Sequence, residues 1–333
     1  MPPNAATNQT LQGMDGTTST TSSSINPIQV HFDQAILATF PEGTKVISSS
    51  IYASSQWSST YRFKVELLDR SQPEYFMKTQ PGEHGRSMFA GEFLAMSEVY
   101  KFTPHFTPKP HAFGRYVDED IYFFITQFVA MEFPLPEPKQ LGQKLAQLAH
   151  TSISPTGMLG MDLNNCQGPT LQALEWESTW TGFFTKFLQH GFDRDAEING
   201  CWENLDILSE RLISHVIPRL IGALEANGRT VKPCLIHGDI WEGNIGTNPE
   251  TGDLYIFDCA SFYGHHEAAL GQWRSYYNRM FANRAEYMKM YFEYFPPSEP
   301  VEEWDDRNLI YNIYYDVMFS CGHKQNGKAI RQM

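Results

Sequence analysis

No stretch of about 18 apolar residues occurs in the 333-residue chain, so no membrane-spanning helix is expected. A basic start followed by an apolar run is also missing, and no secretory signal is expected either. Basic residues are few: 25 Lys and Arg stand against 38 Asp and Glu, a formal charge of −13. That balance speaks against a general nucleic-acid binder, which presents a basic face. Cysteine is sparse and unpatterned. Cys166, Cys201, Cys234, Cys259 and Cys321 form no C-x-x-C pair, so reduced thiols are expected rather than a disulfide framework. The chain reads as a soluble, cytoplasmic protein that engages neither membrane nor nucleic acid.

What is present suffices for a globular interior: 41% hydrophobic and 14% aromatic residues, over a length with room for two lobes. Residues 1–28 are rich in Ser, Thr, Asn and Gly and are expected to form a disordered tail. Residues 29–131 turn to strand patterns, with short runs at 45–47, 61–67 and 75–78 and a long apolar run at 121–129. Three prolines, Pro134, Pro136 and Pro138, mark a boundary. Residues 132–333 carry helical spacing over 141–150, 174–189, 205–224, 272–295 and 304–321.

The stretch 234–267 carries the chemistry. An apolar approach delivers His237-Gly238-Asp239, and Asn244 follows five residues after the aspartate. A short link over 245–247, a turn over 248–252 and a second apolar run lead to Asp258. Two strands joined by that turn would gather Asp239, Asn244 and Asp258 at one end of a hairpin. Phosphoryl transfer needs such groups: a carboxylate beside the attacking hydroxyl, and hard oxygen ligands for a cation on the phosphates. The Asp-x-x-x-x-Asn spacing followed by a later aspartate is that of a kinase catalytic loop and its metal aspartate. His237 reads as a residue packing the loop rather than as an acid or base.

Upstream, Lys78 ends a strand run, and Glu92 lies in an apolar stretch of helical period. A strand lysine held by a helix glutamate is the nucleotide-side half of such a site. The run ending at Gln127, Phe128 and Val129 would lead into a hinge whose backbone pairs with adenine. Residues 48–60 would be the loop over the phosphates, or a serine-rich surface hairpin. They contain no glycine, the residue that normally lets backbone approach phosphate.

The segments IHGDIWEGN and FDCASFYGHHE resemble the fructosamine/ketosamine 3-kinase family, a branch of the aminoglycoside-phosphotransferase-like group. Weaker similarities run from Lys45 to the C-terminus, through MFAGE, LGQKLAQL and the Trp176, Trp180, Phe183, Phe184 pattern. Cys259, Ala269 and Leu188 stand where the family usually has a proline, an acidic residue and an arginine.

The resemblance implies an α+β, bilobal protein-kinase-like fold. A small antiparallel sheet lobe with one main helix would precede a larger, mostly helical lobe. It implies Asp239 as catalytic base, Asn244 and Asp258 as Mg2+ ligands, and Lys78, held by Glu92, on the ATP phosphates. His237, Trp241, His265, Glu267 and Trp176 are the expected substrate-pocket residues. Asp239 needs no raised pKa for this chemistry. The reaction implied is ATP-dependent phosphorylation of the 3-hydroxyl of a ketosamine, free or on a glycated protein, leading to deglycation by a monomer or weak dimer. The alternatives are a kinase of another small alcohol, aminoglycoside-like or choline-like, and a non-catalytic nucleotide-binding protein.

Overall fold

A computed structural model describes residues 32–54, 58–324 and 331–332; the expected N-terminal tail lies outside the described residues. After a short helix α1 (Gln34–Leu37), five antiparallel strands form one sheet: β1 (Lys45–Ser54), β2 (Ser59–Glu66), β3 (Glu74–Pro81), β4 (Pro110–Arg115) and β5 (Ile121–Gln127). Their spatial order is β1-β2-β3-β5-β4. Helix α2 (Gly82–Phe102) is inserted between β3 and β4.

The long apolar run becomes an interior strand because both its faces are covered. Phe123 and Ile125 join Phe63, Val65, Met77, Ile36 and Phe40 in a small core on one face. Phe124 turns the other way, against Phe93 of α2, and belongs to the large core. Such two-sided burial replaces the polar alternation of a half-exposed strand.

The expected phosphate loop is mostly strand. Residues 48–54 continue β1 and pair with β2 from Ser48↔Lys64 to Ser54↔Ser59, with irregularities at Val46/Ser48 and Ile51/Ala53. Three serines followed by β-favouring Ile51 and Tyr52 are accommodated in a paired arm, largely exposed over 48–52. The tip, 55–57, lies outside the described residues.

The remainder is mostly helical. Helix α3 (Pro138–Thr151) starts with Pro138 in its first turn, and Glu137 accepts from Gln140 N at 2.7 Å, a capped start. A hairpin of two-residue strands, β6 (Cys166–Gln167) and β7 (Thr170–Leu171), precedes α4 (Trp180–Asn199). Residues 174–179 are extended rather than helical; Thr179 caps α4, and the Glu225 carboxylate accepts from Trp180 N and Thr181 N at 2.7 and 2.9 Å. Helices α5 (Glu203–Arg211) and α6 (Ile217–Leu220) follow, separated by a π-helical turn at Leu212–Val216. Four three-residue strands come next: β8 (Cys234–Ile236), β9 (Ile245–Thr247), β10 (Leu254–Ile256) and β11 (Phe262–Gly264). A 3-10 helix (His266–Arg274), α7 (Arg284–Tyr294) and α8 (Trp304–Gly322) complete the packing. The expected aromatic helices supply much of the core: Trp180, Phe183, Phe184 and Phe187 pack among Phe262, Tyr311 and Tyr314. No helix among the described residues is long and apolar enough to cross a membrane.

The expected single hairpin is two ribbons. The link over 245–247 is itself strand β9 and pairs with β10, while β8 pairs with β11. Each apolar triplet thus finds a partner, and the polar connections between them are left at one end.

Candidate active site

On α2, Phe89, Glu92, Met96 and Val99 fall on the buried face, so the helix period that builds the core also buries a carboxylate. A buried charge needs a partner, and Lys78 of β3 supplies it: Nζ lies 2.8 and 3.0 Å from the Glu92 oxygens. The same ammonium also binds Oδ1 of Asp258, which follows β10. Burial alone would lower the Lys78 pKa, but Asp258 and Glu92 together hold it above the ordinary lysine value. Asp258 is 46% exposed at its side chain and sits at φ 54°, a left-handed conformation uncommon for a non-glycine residue.

Between β8 and β9 the chain turns through Gly238, at φ 82°. A Cβ there would collide with the Ala260 carbonyl, so this turn requires glycine. His237, fully buried, ties the turn together: Nε2 donates to Phe257 O at 3.0 Å, and Nδ1 accepts from Asp239 N at 3.2 Å. Burial lowers its pKa to about 4, leaving it neutral and structural.

Asp239 is held by three side-chain amides. Nδ2 of Asn244 donates to Oδ2 at 2.9 Å. Nε2 of Gln272 and of Gln167 both donate to Oδ1, at 2.6 and 3.3 Å. Burial raises the carboxyl to about 6 against these donors, with Asp258 adding to the rise. Asn244 is set by a 3-10 turn (Glu242–Asn244), with its N–H on Trp241 O at 3.0 Å. The structure therefore brings Lys78, Glu92 and Asp258 into direct contact, and likewise Asp239 and Asn244.

At the hinge, the amides of Gln127 and Phe128 are engaged by Lys109 O and Glu74 O at 2.8 and 2.9 Å. They are not free to meet a base, whereas Val129 shows no such bond among the described residues. The expected pocket residues scatter. His265 and Glu267 expose only 2% and 1%, and their polar atoms are taken up within the protein. Glu267 forms a bidentate pair with Arg307, both bonds 2.8 Å, and also accepts from Ser298 N. His265 is bonded to Tyr311 and Ser298. His237 is equally enclosed. Trp241 is half-buried and covers Gly243. Trp176, also half-buried, donates to Asp162 at 3.0 Å and stacks on Tyr263. Gln167 and Gln272 were not anticipated: they lie 72 and 33 residues from Asp239, and an isolated glutamine carries no pattern.

The oxygen donors of Asn244, Asp258 and Asp239 suit a hard divalent cation, and a buried lysine beside them suits phosphate. The thiols of Cys234 and Cys259 are pushed up by burial, so both are core filler rather than reactive groups.

This combination of a five-stranded sheet, an inserted helix and a helical region carrying the loop carboxylates defines a protein-kinase-like phosphotransferase. A solved thermostable mutant of aminoglycoside phosphotransferase APH(4)-Ia, in ternary complex with AMP-PNP and hygromycin B, superposes with a TM-score of 0.56 at 14% identity, covering 91% of this chain and 94% of its own. A solved structure from Haemophilus somnus 129PT, whose own fructosamine-3-kinase assignment is provisional, reaches 0.65 at 19% identity, covering 90% and 95%. The fructosamine kinase family model matches residues 49–329, and the chain belongs to that family. Among curated relatives, the chloroplastic protein-ribulosamine 3-kinase of Oryza sativa subsp. indica is 29% identical over 77% of this chain and 71% of its own. The ketosamine-3-kinase of Mus musculus is 28% identical over 62% and 71%.

Proposed function

We propose that the protein uses ATP and magnesium to phosphorylate the 3-hydroxyl of ketosamines, with a ribulosamine, free or on a glycated lysine, as the substrate. The observation that carries this reading is the meeting of Lys78, from the sheet, with Asp258, from the segment that also holds Asp239 and Asn244. The names of the Oryza and Mus relatives support the choice of acceptor.

In this reading Asp239 receives the proton of the attacking hydroxyl. Its carboxylate is fixed in advance by the amides of Gln272, Gln167 and Asn244, so little reorganisation is needed at the reactive moment. Lys78 binds phosphate oxygens, and Glu92 keeps its ammonium charged and aimed. Asn244 and Asp258 would hold magnesium; what the ion supplies when bound is neutralisation of phosphate charge. His237 holds the backbone of the loop. The 3-phosphate product is unstable and sheds the amine, which makes the reaction a deglycation. Free thiols at all five cysteines support a reducing, cytoplasmic setting.

The test is incubation with ribulosyl-lysine, ATP and magnesium, followed by phosphorus NMR. A new sugar-phosphate resonance is expected. Turnover of an aminoglycoside or choline in its place would overturn the assignment of the acceptor.

A further inference from the structure

Two glutamines grip Asp239 from opposite parts of the chain, and the chemistry above uses only half of each. Gln167 comes from the β6–β7 hairpin and Gln272 from the His266–Arg274 helix. Both are more than nine-tenths buried, exposing 8% and 5%. Each donates from Nε2 to Oδ1 of Asp239. Among the described residues, each leaves its buried carbonyl oxygen, Oε1, without a donor.

Turning either amide around would set its oxygen against a carboxylate oxygen, so the orphaned atoms follow from the grip itself. A buried polar atom left unpaired carries a cost comparable with a lost hydrogen bond, and such atoms are rare. Here two occur on the side chains that hold one reactive carboxylate. An amide carbonyl accepts and never donates, so the groups it selects are hydroxyls and ammonium N–H. Leucine could not hold the carboxylate, and glutamate would repel it. An amide, in contrast, can donate to Asp239 and accept from a ligand at once.

We propose that Gln167 and Gln272 determine specificity: their carbonyls accept from donors flanking the reacting hydroxyl, and so select a hydroxylated amine over a simple alcohol. This rests on the ketosamine reading, in which the flanking donors are the C4 hydroxyl and the protonated amine on C1. One glutamine takes the hydroxyl and the other the amine.

The test measures kcat/KM for ribulosyl-lysine and for its 4-deoxy analogue, in wild type, Gln167→Met and Gln272→Met, with ATP and magnesium. Wild type is expected to prefer the complete ketosamine by at least about tenfold, since a site built to hydrogen-bond a hydroxyl rejects the analogue lacking it. In the variant that has lost the acceptor for this hydroxyl, the preference falls toward one; in the other it persists. Weakened positioning of Asp239 lowers kcat for both substrates and cancels in the ratio. Should a methionine variant fail to melt cooperatively, the asparagine variant at the same position keeps the amide, shortens its reach and gives the same ratio. A wild-type ratio near one, or a ratio unmoved in every variant, overturns the proposal and leaves the ketosamine kinase standing. No turnover of either compound by wild type overturns the ketosamine reading, and this proposal with it.

Discussion

Replacing Asp239 with asparagine should cut turnover sharply with little net change in stability. The carboxyl is lifted from 3.8 to about 6 by burial. The sign follows directly: a raised carboxyl binds its proton more tightly when folded, so near neutral pH its ionised form opposes folding. At about 1.4 kcal/mol per tenfold, the opposition is at most about 3 kcal/mol, and less to the extent that water reaches the half-buried side chain. Asparagine removes that charge. It can place its oxygen in the Oδ1 position and keep both glutamine donors, but its NH2 then confronts Nδ2 of Asn244. That confrontation costs about 1–3 kcal/mol. The two effects nearly cancel, and the melting temperature should stay within a few degrees of wild type. Turnover, in contrast, should fall by about 10²–10⁴, the range for a lost general base. Calorimetry with ATP and magnesium separates binding from chemistry, and a coupled ADP assay reads the rate. Unchanged turnover would refute the role of Asp239. A drop in melting temperature beyond about 10 °C would refute the account of its burial.

Other expectations follow from the same geometry. Asp258→Ala should weaken ATP binding in the presence of magnesium more than in its absence, measured by calorimetry with and without the ion. The buried Glu267–Arg307 pair should not tolerate loss of one partner: Glu267→Ala is expected to cost about 3–5 kcal/mol, read as a lower urea midpoint. His237, lowered from 6.5 to about 4, contributes stability that is full above pH 6.5 and is lost as pH falls toward 4. Between pH 6.5 and 5 the loss is about 2 kcal/mol. Asp239 works in the opposite sense over part of that window, so the readout is the difference in urea stability between wild type and His237→Gln. A difference that stays flat with pH would contradict a neutral, buried imidazole.

Much of this arrangement was legible because it is local. The offset from Asp239 to Asn244 is set by one loop and one 3-10 turn, and both survive in the sequence as a spacing. Lys78 and Glu92 could be paired because a strand and a following helix leave few places for a buried carboxylate to go. Burial defeated the reading elsewhere. His265 and Glu267 carry the residue types of a binding pocket, yet Arg307, 40 residues on from Glu267, draws the carboxylate into the interior. The serine-rich run 48–54 reads equally as a phosphate loop or a surface hairpin; its pairing with β2 makes it a hairpin arm, and pairing is not written in either strand alone. Gln167 and Gln272 were invisible for the same reason: their meaning exists only where distant segments converge on Asp239.

The double engagement of Lys78 has a consequence for the order in which ligands arrive. One cation shared between Glu92 and Asp258 leaves the cleft with surplus negative charge, to which Asp239 adds. A bare triphosphate entering there is opposed, and it must also detach Asp258 from the Lys78 ammonium. A triphosphate that brings its own divalent counter-charge meets neither obstacle, because Asp258 can exchange one positive partner for another. On the proposed reading, the resting protein is bolted shut against the uncomplexed nucleotide and opens to the complexed one.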